Sequence, residues 1–271
     1  GDPDFQAYHH DLYRGMGRLW VMEQQPGPVN WAKYNPIPVK GAVRLWSWEA
    51  FAHDAEVVSY FRWRQAPYAQ EQMHAGLMYR DNTPAPGQEE ASQVSEELKK
   101  IKMPATEQSP IALVHDYEAC WMTELDGQTH DFHYTRLLLD FYKAVRMNGG
   151  SLDIVGKNAD FTGYKLVIIP SFVHFQEEEL QRVIKSGAQI LAGPRTGIKT
   201  PDFQLPNELS LEGLGFQVRR VDALPRDLPV SVEWNSVKGN FSVWREHGLT
   251  SGISEGKASD DMAVLTSGNQ G

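Results

Sequence analysis

The sequence predicts an α/β fold built from two successive regions. In the first hundred residues, an apolar strand, a long loop and a helical stretch occur twice in succession, which is typical of an α/β barrel or an open parallel sheet. After a linker, short apolar strands and amphipathic helices alternate, which is typical of a doubly wound parallel sheet. At 271 residues, the chain is long enough to form two domains.

The first region contains three helical stretches and two strands. Residues 4–16 predict a helix, and RLWVM at 18–22 predicts a buried strand. VRLWSWEAFAHD at 43–54 has the apolar rhythm of a helix, and EVVSYFRW at 56–63 is rich in β-branched and aromatic residues, which predicts a strand. EEASQVSEELKKI at 89–101 predicts a charged, amphipathic surface helix.

The second region follows KMPATEQSP at 102–110, a linker composition without apolar periodicity. We therefore predict one domain at 1–104 and another at 110–271. Beyond the linker we expect strands at IALVHD, SLDIVG, KLVIIPS and QILAGP, helices through DFHYTRLLLDFYKAVRMNG and EEELQRVIKSG, and later short strands at FQVRRVD, VSVEW and MAVLTS.

Composition narrows the classes of partner. The formal net charge of -9 and the absence of a Lys/Arg stripe argue against nucleic acid and favour a neutral or cationic small molecule. No apolar run approaches the roughly 18 residues that span a bilayer, and the first residues lack the apolar core of a signal peptide, so we expect no membrane association. Cys120 is the one cysteine, which excludes an internal disulfide and suits a cytoplasmic protein.

Two carboxylates follow the first two strands, where α/β proteins carry their chemistry. Glu23 ends the apolar run LWVM, and Glu71 lies in the loop after the second strand; Trp31 and Phe61 are in or beside the same loops. Carboxylates beside aromatic rings suit sugars, because acid groups bind hydroxyls while rings stack on the C–H face. The alternatives are a loop Glu, aromatic core residues, and a surface ion pair between Glu71 and His74.

Metal, nucleotide and nucleophile motifs are not recognisable. The histidines do not have the HExxH spacing, and HDFHY at 130–134 offers only an i, i+3 pair, so we expect no metal. GxGxxG is absent from the predicted parallel sheet, so we expect no nucleotide cofactor. Cys120 lies in the helical stretch YEACWMTE, which predicts a buried small side chain and not a nucleophile.

About sixty residues closely resemble the end of the catalytic barrel in β-galactosidases of glycoside hydrolase family 42. The strings MEQQPG, FRWRQ and EQMHAGL carry the resemblance. It implies that Glu23 is the nucleophile of a retaining mechanism on a β-galactoside. It also implies that Trp31 stacks on or borders galactose, that Glu71 and His74 bind its hydroxyls, and that Phe61 lines the pocket.

The resemblance extends to the second region. In this family, the barrel precedes a domain similar to class I glutamine amidotransferases, without their catalytic Cys, and residues 111 to about 266 look like it. The implied architecture is the last two βα units of a TIM (β/α)8 barrel followed by a doubly wound, flavodoxin-like domain that forms a homotrimer. No organic cofactor is implied.

The sequence departs from the family in one respect that affects activity. In family members the acid/base Glu lies in an Asn-Glu pair on an earlier barrel strand, and no such strand precedes the first strand of this sequence. We therefore expect the chain alone to be inactive, since general acid catalysis typically contributes about 10²- to 10⁴-fold. Two alternatives are a non-catalytic trimerisation module and, less favoured because no nucleophile is placed, an amidotransferase or small-molecule hydrolase in residues 111–266.

Overall fold

The computed structural model describes residues 2–250, except residues 69, 208–210, 226, 229, 235 and 236. The chain forms two compact units, residues 1–107 and 108–271, which are described separately. The predicted strand MAVLTS lies outside the described residues. Within the described part of the chain, the helices are too short or too polar to cross a membrane.

The N-terminal unit contains two parallel strands and three helices. The strands pair from Leu19 opposite Ala55 to Gln24 opposite Tyr60, with register shifts after Leu19 and after Val21. The predicted order of elements is confirmed, but the second strand ends at Tyr60 and does not include the aromatic residues after it. The elements are α1 (Pro3–Arg14), β1 (Leu19–Gln24), α2 (Ala42–Ala52), β2 (Ala55–Tyr60) and α3 (Pro86–Leu98).

The prediction that β1 is buried is wrong for most of the strand. Trp20 and Met22 are 50% and 61% exposed, whereas Leu19 packs with Ala50 and Ala55 in a small core. The reason is the width of the sheet: among the described residues, β1 pairs only with β2. Side chains on a two-stranded sheet cannot all be covered by the helices that accompany it.

Helix α3 fixes the start of α2 through two carboxylates. The backbone N–H groups of Gly41 and Arg44 donate to the Glu90 carboxylate at 2.8 and 2.9 Å. These N–H groups have no partner within the helix, and a negative charge near them interacts favourably with the helix dipole. Two turns further along α3, Glu97 accepts hydrogen bonds from Arg44 Nε at 2.9 Å and from Trp48 Nε1 at 2.7 Å. Polar contacts thus set the packing of α2 on α3.

The C-terminal unit contains a four-stranded parallel sheet in the order β4-β3-β5-β6. The doubly wound prediction is consistent with this order, because the chain passes from β3 to one side and then returns to the other. The predicted helix from residue 131 begins at Tyr134. The elements are β3 (Ile111–Val114), α4 (Tyr117–Leu125), α5 (Tyr134–Met147), β4 (Leu152–Val155), β5 (Leu166–Ile169), α6 (Glu177–Ser186) and β6 (Gln189–Ala192).

The core of this unit lies between the central strands and the helices. Strands β3 and β5 are continuous apolar runs, as expected when both faces of a parallel sheet are covered. Helices α5 and α6 each turn an apolar stripe toward the strands. The fully buried residues here include Leu113, Ile168, Tyr134, Leu138, Tyr142 and Leu180.

Antiparallel strands follow the parallel sheet. Here β7 (Phe216–Leu224) pairs with β10 (Val243–Thr250), and β8 (Val230–Trp234) pairs with β9 (Val237–Phe241). A 3₁₀ turn, Glu212–Leu214, precedes β7.

Strand β10 is joined to the loop after β6 by a buried cation. Arg195 is 1% exposed, and its guanidinium lies 5.1 Å from the Phe132 ring centroid and 5.0 Å from that of Trp244. Its backbone N–H donates to Glu246 Oε1 at 2.7 Å, and Trp244 Nε1 donates to the same oxygen at 3.0 Å. Its side chain donates to the Asp126 carbonyl at 2.7 Å. Hydrogen bonds and ring contacts therefore compensate the burial of this charge.

Candidate active site

Glu23 occupies the next-to-last position of β1, at the carboxyl end of the parallel pair. The strand ends at Gln24, two residues after the predicted end at residue 22. The Glu23 side chain is exposed, and its carboxylate has no hydrogen-bond or ion-pair partner among the described residues. A carboxylate that is fixed by a strand and not engaged elsewhere can contact a ligand at this edge of the sheet.

Phe61 lies beside the end of β1, directly after β2. Its backbone N–H donates to the Gln24 carbonyl at 3.1 Å, which extends the pairing of the two strands by one bond. The residues after both strands therefore emerge at the same edge, as expected for the carboxyl ends of parallel strands. The backbone brings Phe61 close to the segment that carries Glu23.

His74 packs against Phe61. The two rings meet edge to face, with centroids 5.1 Å apart and planes at 86°. His74 is 5% exposed, and its Nδ1 lies 2.9 Å from the Ala75 carbonyl oxygen. Because a carbonyl can only accept, Nδ1 carries the hydrogen, and in the neutral ring Nε2 is left as an acceptor. A neutral His74 can therefore accept a hydrogen bond from a hydroxyl group.

Backbone contacts hold the loop after β2 against the loop after β1. The Leu77 N–H donates to the Arg62 carbonyl at 2.8 Å and closes the loop that carries Glu71 and His74. The Ala75 N–H donates to the Pro28 carbonyl at 2.9 Å. Gly27 allows this approach, since a Cβ at that position would lie 2.6 Å from the Ala75 Cβ. The Pro-Gly-Pro turn thus supports the second loop.

Glu71 and His74 are joined by a backbone turn and not by an ion pair. The His74 N–H donates to the Glu71 carbonyl at 3.0 Å, and the Arg62 guanidinium donates to the same carbonyl at 2.5 Å. Glu71 has a positive φ of 57°, its side chain is exposed, and within the described part of the chain its carboxylate has no partner. The alternative of a Glu71–His74 ion pair is therefore wrong.

The aromatic residues of these loops lie largely outside the core. Trp31 is 73% exposed, so the alternative that it is a core residue is wrong. Trp63 and Tyr68, in the segment after β2, are 67% and 75% exposed. Phe61 is partly buried. Among the side-chain contacts of the described residues, the ring pair of Phe61 and His74 is the one that joins two predicted site residues; Trp31 makes no ring contact with them.

An apolar cavity of about 250 Å³ is lined by the Pro-Gly-Pro turn and by the two residues that flank His74. None of the five predicted site residues lines it. Its charged residue, Glu90, accepts the α2 backbone bonds described above. The lining of the cavity includes Pro26, Pro28, Val43, Met73 and Ala75.

A second polar cluster follows three strands of the C-terminal sheet, and sequence reasoning missed it. His174 Nε2 lies 3.8 Å from Asp116 Oδ1 and 3.5 Å from Glu118 Oε2. Three such atoms could hold a metal ion, but Lys157 Nζ lies 3.4 Å from Glu118 and 3.5 Å from His174 and supplies a positive charge there. Burial lowers the pKa of His174. Only the topology, which brings the ends of neighbouring strands together, reveals this cluster.

Cys120 is partly buried on α4. Burial, and then the charge of Glu124, raise the pKa of its thiol, which disfavours the thiolate that a nucleophile requires. The side chain is less buried than the sequence predicts, and the absence of a nucleophilic role stays a prediction.

Two family models match the chain. The β-galactosidase model of glycoside hydrolase family 42 matches residues 1–101, and the β-galactosidase trimerisation-domain model of the same family matches residues 109–259. The chain therefore belongs to the glycoside hydrolase family 42 β-galactosidases, and the resemblance seen in the sequence is confirmed.

Named relatives and solved structures agree with this membership. The chain is 50% identical to β-galactosidase BgaA of Thermus sp. over 91% of its length and 39% of the relative's. It is 40% identical to β-galactosidase Bga of Halorubrum lacusprofundi, over 86% of this chain and 34% of that relative. The crystal structure of β-galactosidase from Marinomonas ef1 matches with a TM-score of 0.88 and 44% identity. The match covers 92% of this chain and 40% of that structure's chain. The chain thus spans about two fifths of these relatives, and its α/β fold is shared with them.

Proposed function

We propose that this chain supplies the nucleophile and the sugar-binding residues of a retaining β-galactosidase. The observation that carries the proposal is the Glu23 carboxylate, exposed and without a partner in the described part of the chain, at the strand edge where Phe61 and His74 pack together. The parallel pair of β1 and β2 supports the finer assignment of residues 1–104 to the last two βα units of a TIM barrel. The order β4-β3-β5-β6 supports an amidotransferase-like domain over 110–271.

The proposed reaction is a double displacement. Glu23 attacks the anomeric carbon and forms an ester, while the bond to the aglycone oxygen breaks and a carboxylic acid protonates that oxygen. Water, deprotonated by the same group, then cleaves the ester and releases galactose with retention. His74 Nε2 accepts a bond from one hydroxyl, the Glu71 carboxylate accepts from another, and Trp31 stacks on the apolar face.

The acid/base group in this proposal comes from outside the sequence. The two candidate carboxylates, Glu23 and Glu71, are assigned to attack and to hydroxyl binding, so we expect negligible turnover from the 271 residues alone. Turnover of a nitrophenyl β-galactoside by the purified chain that Glu23→Gln abolishes would contradict this expectation.

The assignment of Glu23 is tested by restoring a complete barrel. The upstream barrel residues of the Thermus relative are fused to this chain, and the fusion is treated with a 2-deoxy-2-fluoro-β-galactoside that carries a good leaving group. We expect a covalent label on the peptide that contains Glu23. Glu23→Gln should remain unlabelled, and Glu89→Gln, which changes an exposed carboxylate on α3, should be labelled normally. A label on another residue refutes the assignment.

We further propose that the intact protein is a cytoplasmic homotrimer. The match of residues 109–259 to a trimerisation domain supports the assembly, and a single cysteine suits a reducing compartment. A chain that only assembles and binds no sugar is the second candidate, which the same match favours. Galactose binding to the fusion, lost in His74→Phe, would decide against it.

A further inference from the structure

Helix α4 has three large apolar side chains on its outside and two small side chains on its inside. Ala119 and Thr123 are fully buried, whereas Tyr117, Trp121 and Leu125 are 43%, 61% and 81% exposed. Residues spaced by four lie on one face of a helix, so the last three form a continuous line, named here the α4 stripe. A surface helix normally presents the opposite pattern, with its apolar face toward the core.

The α4 stripe is held in place by contacts on the inner side and at the start of the helix. The Ala119 N–H donates to the Asp116 carboxylate at 2.9 Å, which caps the helix, and Thr123 Oγ1 donates to the Ala119 carbonyl at 2.7 Å. The Tyr117 ring meets the buried His115 ring edge to face at 4.6 Å. The stripe is therefore preformed, which lowers the entropic cost of a contact made through it.

We propose that the α4 stripe is a contact surface for a second copy of this chain. The proposal rests on the trimer proposed above and names the surface that forms it. The match to the trimerisation domain includes all of α4. Exposed Trp and Tyr residues are typical of the centre of an interface, where a few such side chains contribute most of the binding energy.

The geometry of a threefold assembly fixes what the stripe can contact. In a cyclic trimer each interface is heterologous, so the stripe of one copy meets a different surface of the next. The stripe is about 12 Å long, given a rise of about 1.5 Å per residue. A stable interface buries about 800 Å² per partner, so the stripe forms its centre and other residues form its rim.

The proposal is tested by the molar mass of the 271-residue chain at several concentrations, measured by sedimentation equilibrium. We expect the unchanged chain to form a trimer. Trp121→Glu together with Leu125→Glu should raise the dissociation constant by at least about 30-fold, and Trp121→Ala, which adds no charge, by about 10-fold or more. Leu205→Glu, at a residue that is 68% exposed outside the stripe, should leave the trimer unchanged. Circular dichroism and the melting temperature establish that each variant is folded.

The outcomes distinguish a failure of the α4 stripe proposal from a failure of the trimer proposal. If the unchanged chain is a trimer and both folded stripe variants associate as tightly as it does, the α4 stripe is not the interface, and the trimer proposal stands. If the unchanged chain is a monomer at every concentration, the trimer proposal fails for this chain, and the surface proposal fails with it. A folded Trp121→Ala variant that dissociates, while Leu205→Glu does not, supports the surface.

Discussion

The imidazole of His74 meets the ring of Phe61 at 86°, with 5.1 Å between the centroids, and the Ala75 carbonyl accepts from Nδ1 of the same imidazole. Two groups from the loop after β2 thus fix the plane and the tautomer of one side chain. A hydroxyl donor would meet a preoriented Nε2, so binding would not require the ring to reorganise.

His74→Phe should therefore lower kcat/KM of the restored enzyme, the fusion with the upstream barrel of the Thermus relative, by about 10- to 100-fold. The reason is that an acceptor for a sugar hydroxyl is lost while the ring contact can persist. Phe61→Leu should have a smaller effect, since it loosens the His74 ring without removing Nε2. Steady-state kinetics on a nitrophenyl β-galactoside measure both. An unchanged kcat/KM in His74→Phe would remove His74 from the proposed site.

Gly87→Ala should lower activity from a position outside the set of proposed site residues. A Cβ at Gly87 would lie 1.9 Å from the Pro26 carbonyl oxygen, in the loop that follows Glu23. Overpacking of this kind costs about 1–3 kcal/mol, although alanine favours a helix more than glycine does. The shift of the loop should lower kcat/KM of the restored enzyme by about 10-fold or more, because catalysis is sensitive to displacements near 1 Å.

Gly156→Ala is the matched control for that change, since a Cβ there meets nothing within 4 Å. It should leave the melting temperature and kcat/KM unchanged. A Gly87→Ala enzyme with parental kinetics and stability would show that the contact between α3 and the Pro-Gly-Pro turn does not position the site.

Glu97 should make the N-terminal unit more stable at neutral pH than in acid. Hydrogen bonds from Arg44 and then Trp48 lower the pKa of Glu97 to about 2. Because the pKa is lower in the folded state, the stabilisation is complete above the unfolded pKa, near 4.5, and is lost as the pH falls toward 2. The free energy of unfolding should thus differ between the parent and Glu97→Gln at pH 7 and converge near pH 2.

Urea unfolding at several pH values measures this difference, with Glu89→Gln as the control on the same helix. Glu89 is exposed, so its variant should follow the parent curve. A gap between the parent and Glu97→Gln that is constant from pH 7 to pH 2 would contradict the proposed role of the carboxylate.

Glu246→Ala should destabilise the C-terminal unit by about 2–4 kcal/mol. The change leaves the Arg195 N–H and the Trp244 indole without their acceptor in a buried site, and it removes a negative charge beside the buried Arg195. Thermal or urea unfolding measures the loss. Glu178→Ala, at an exposed position on α6, should change the free energy of unfolding by less than about 0.5 kcal/mol.

The Glu246 carboxylate should also make the stability of the C-terminal unit depend on pH. Burial raises the pKa of Glu246, so the folded state binds its proton more tightly than the unfolded state does. Its contribution to stability is complete below the unfolded pKa, near 4.5, and is lost as the pH rises through the folded pKa. This part of the pH dependence should be absent in Glu246→Ala.

Local sequence patterns predicted most of the helices and strands because these patterns depend on near neighbours. The apolar rhythm of residues 43–54 predicted α2, and LVII predicted β5. The prediction that β1 is buried was wrong, because the apolar run that includes Trp20 and Met22 does not reveal how many strands lie beside β1. Burial depends on tertiary neighbours that periodicity cannot report.

The candidate site was predictable only in part, for a similar reason. The position of Glu23 at a strand end follows from the sequence, whereas its proposed role came from the family resemblance. The contact of Phe61 with His74 depends on how two loop segments fold back, and the cluster around His174 depends on strand order. Neither arrangement leaves a local signal, since its members are far apart in the chain.

The bond from the Ala75 amide to the Pro28 carbonyl has a consequence for entry to the site. This hydrogen bond joins the segments that follow β1 and β2, so neither segment can move away from the other without breaking it. A bulky aglycone that pushed on one segment would displace the other. Changes of specificity by loop replacement would therefore have to exchange both segments together.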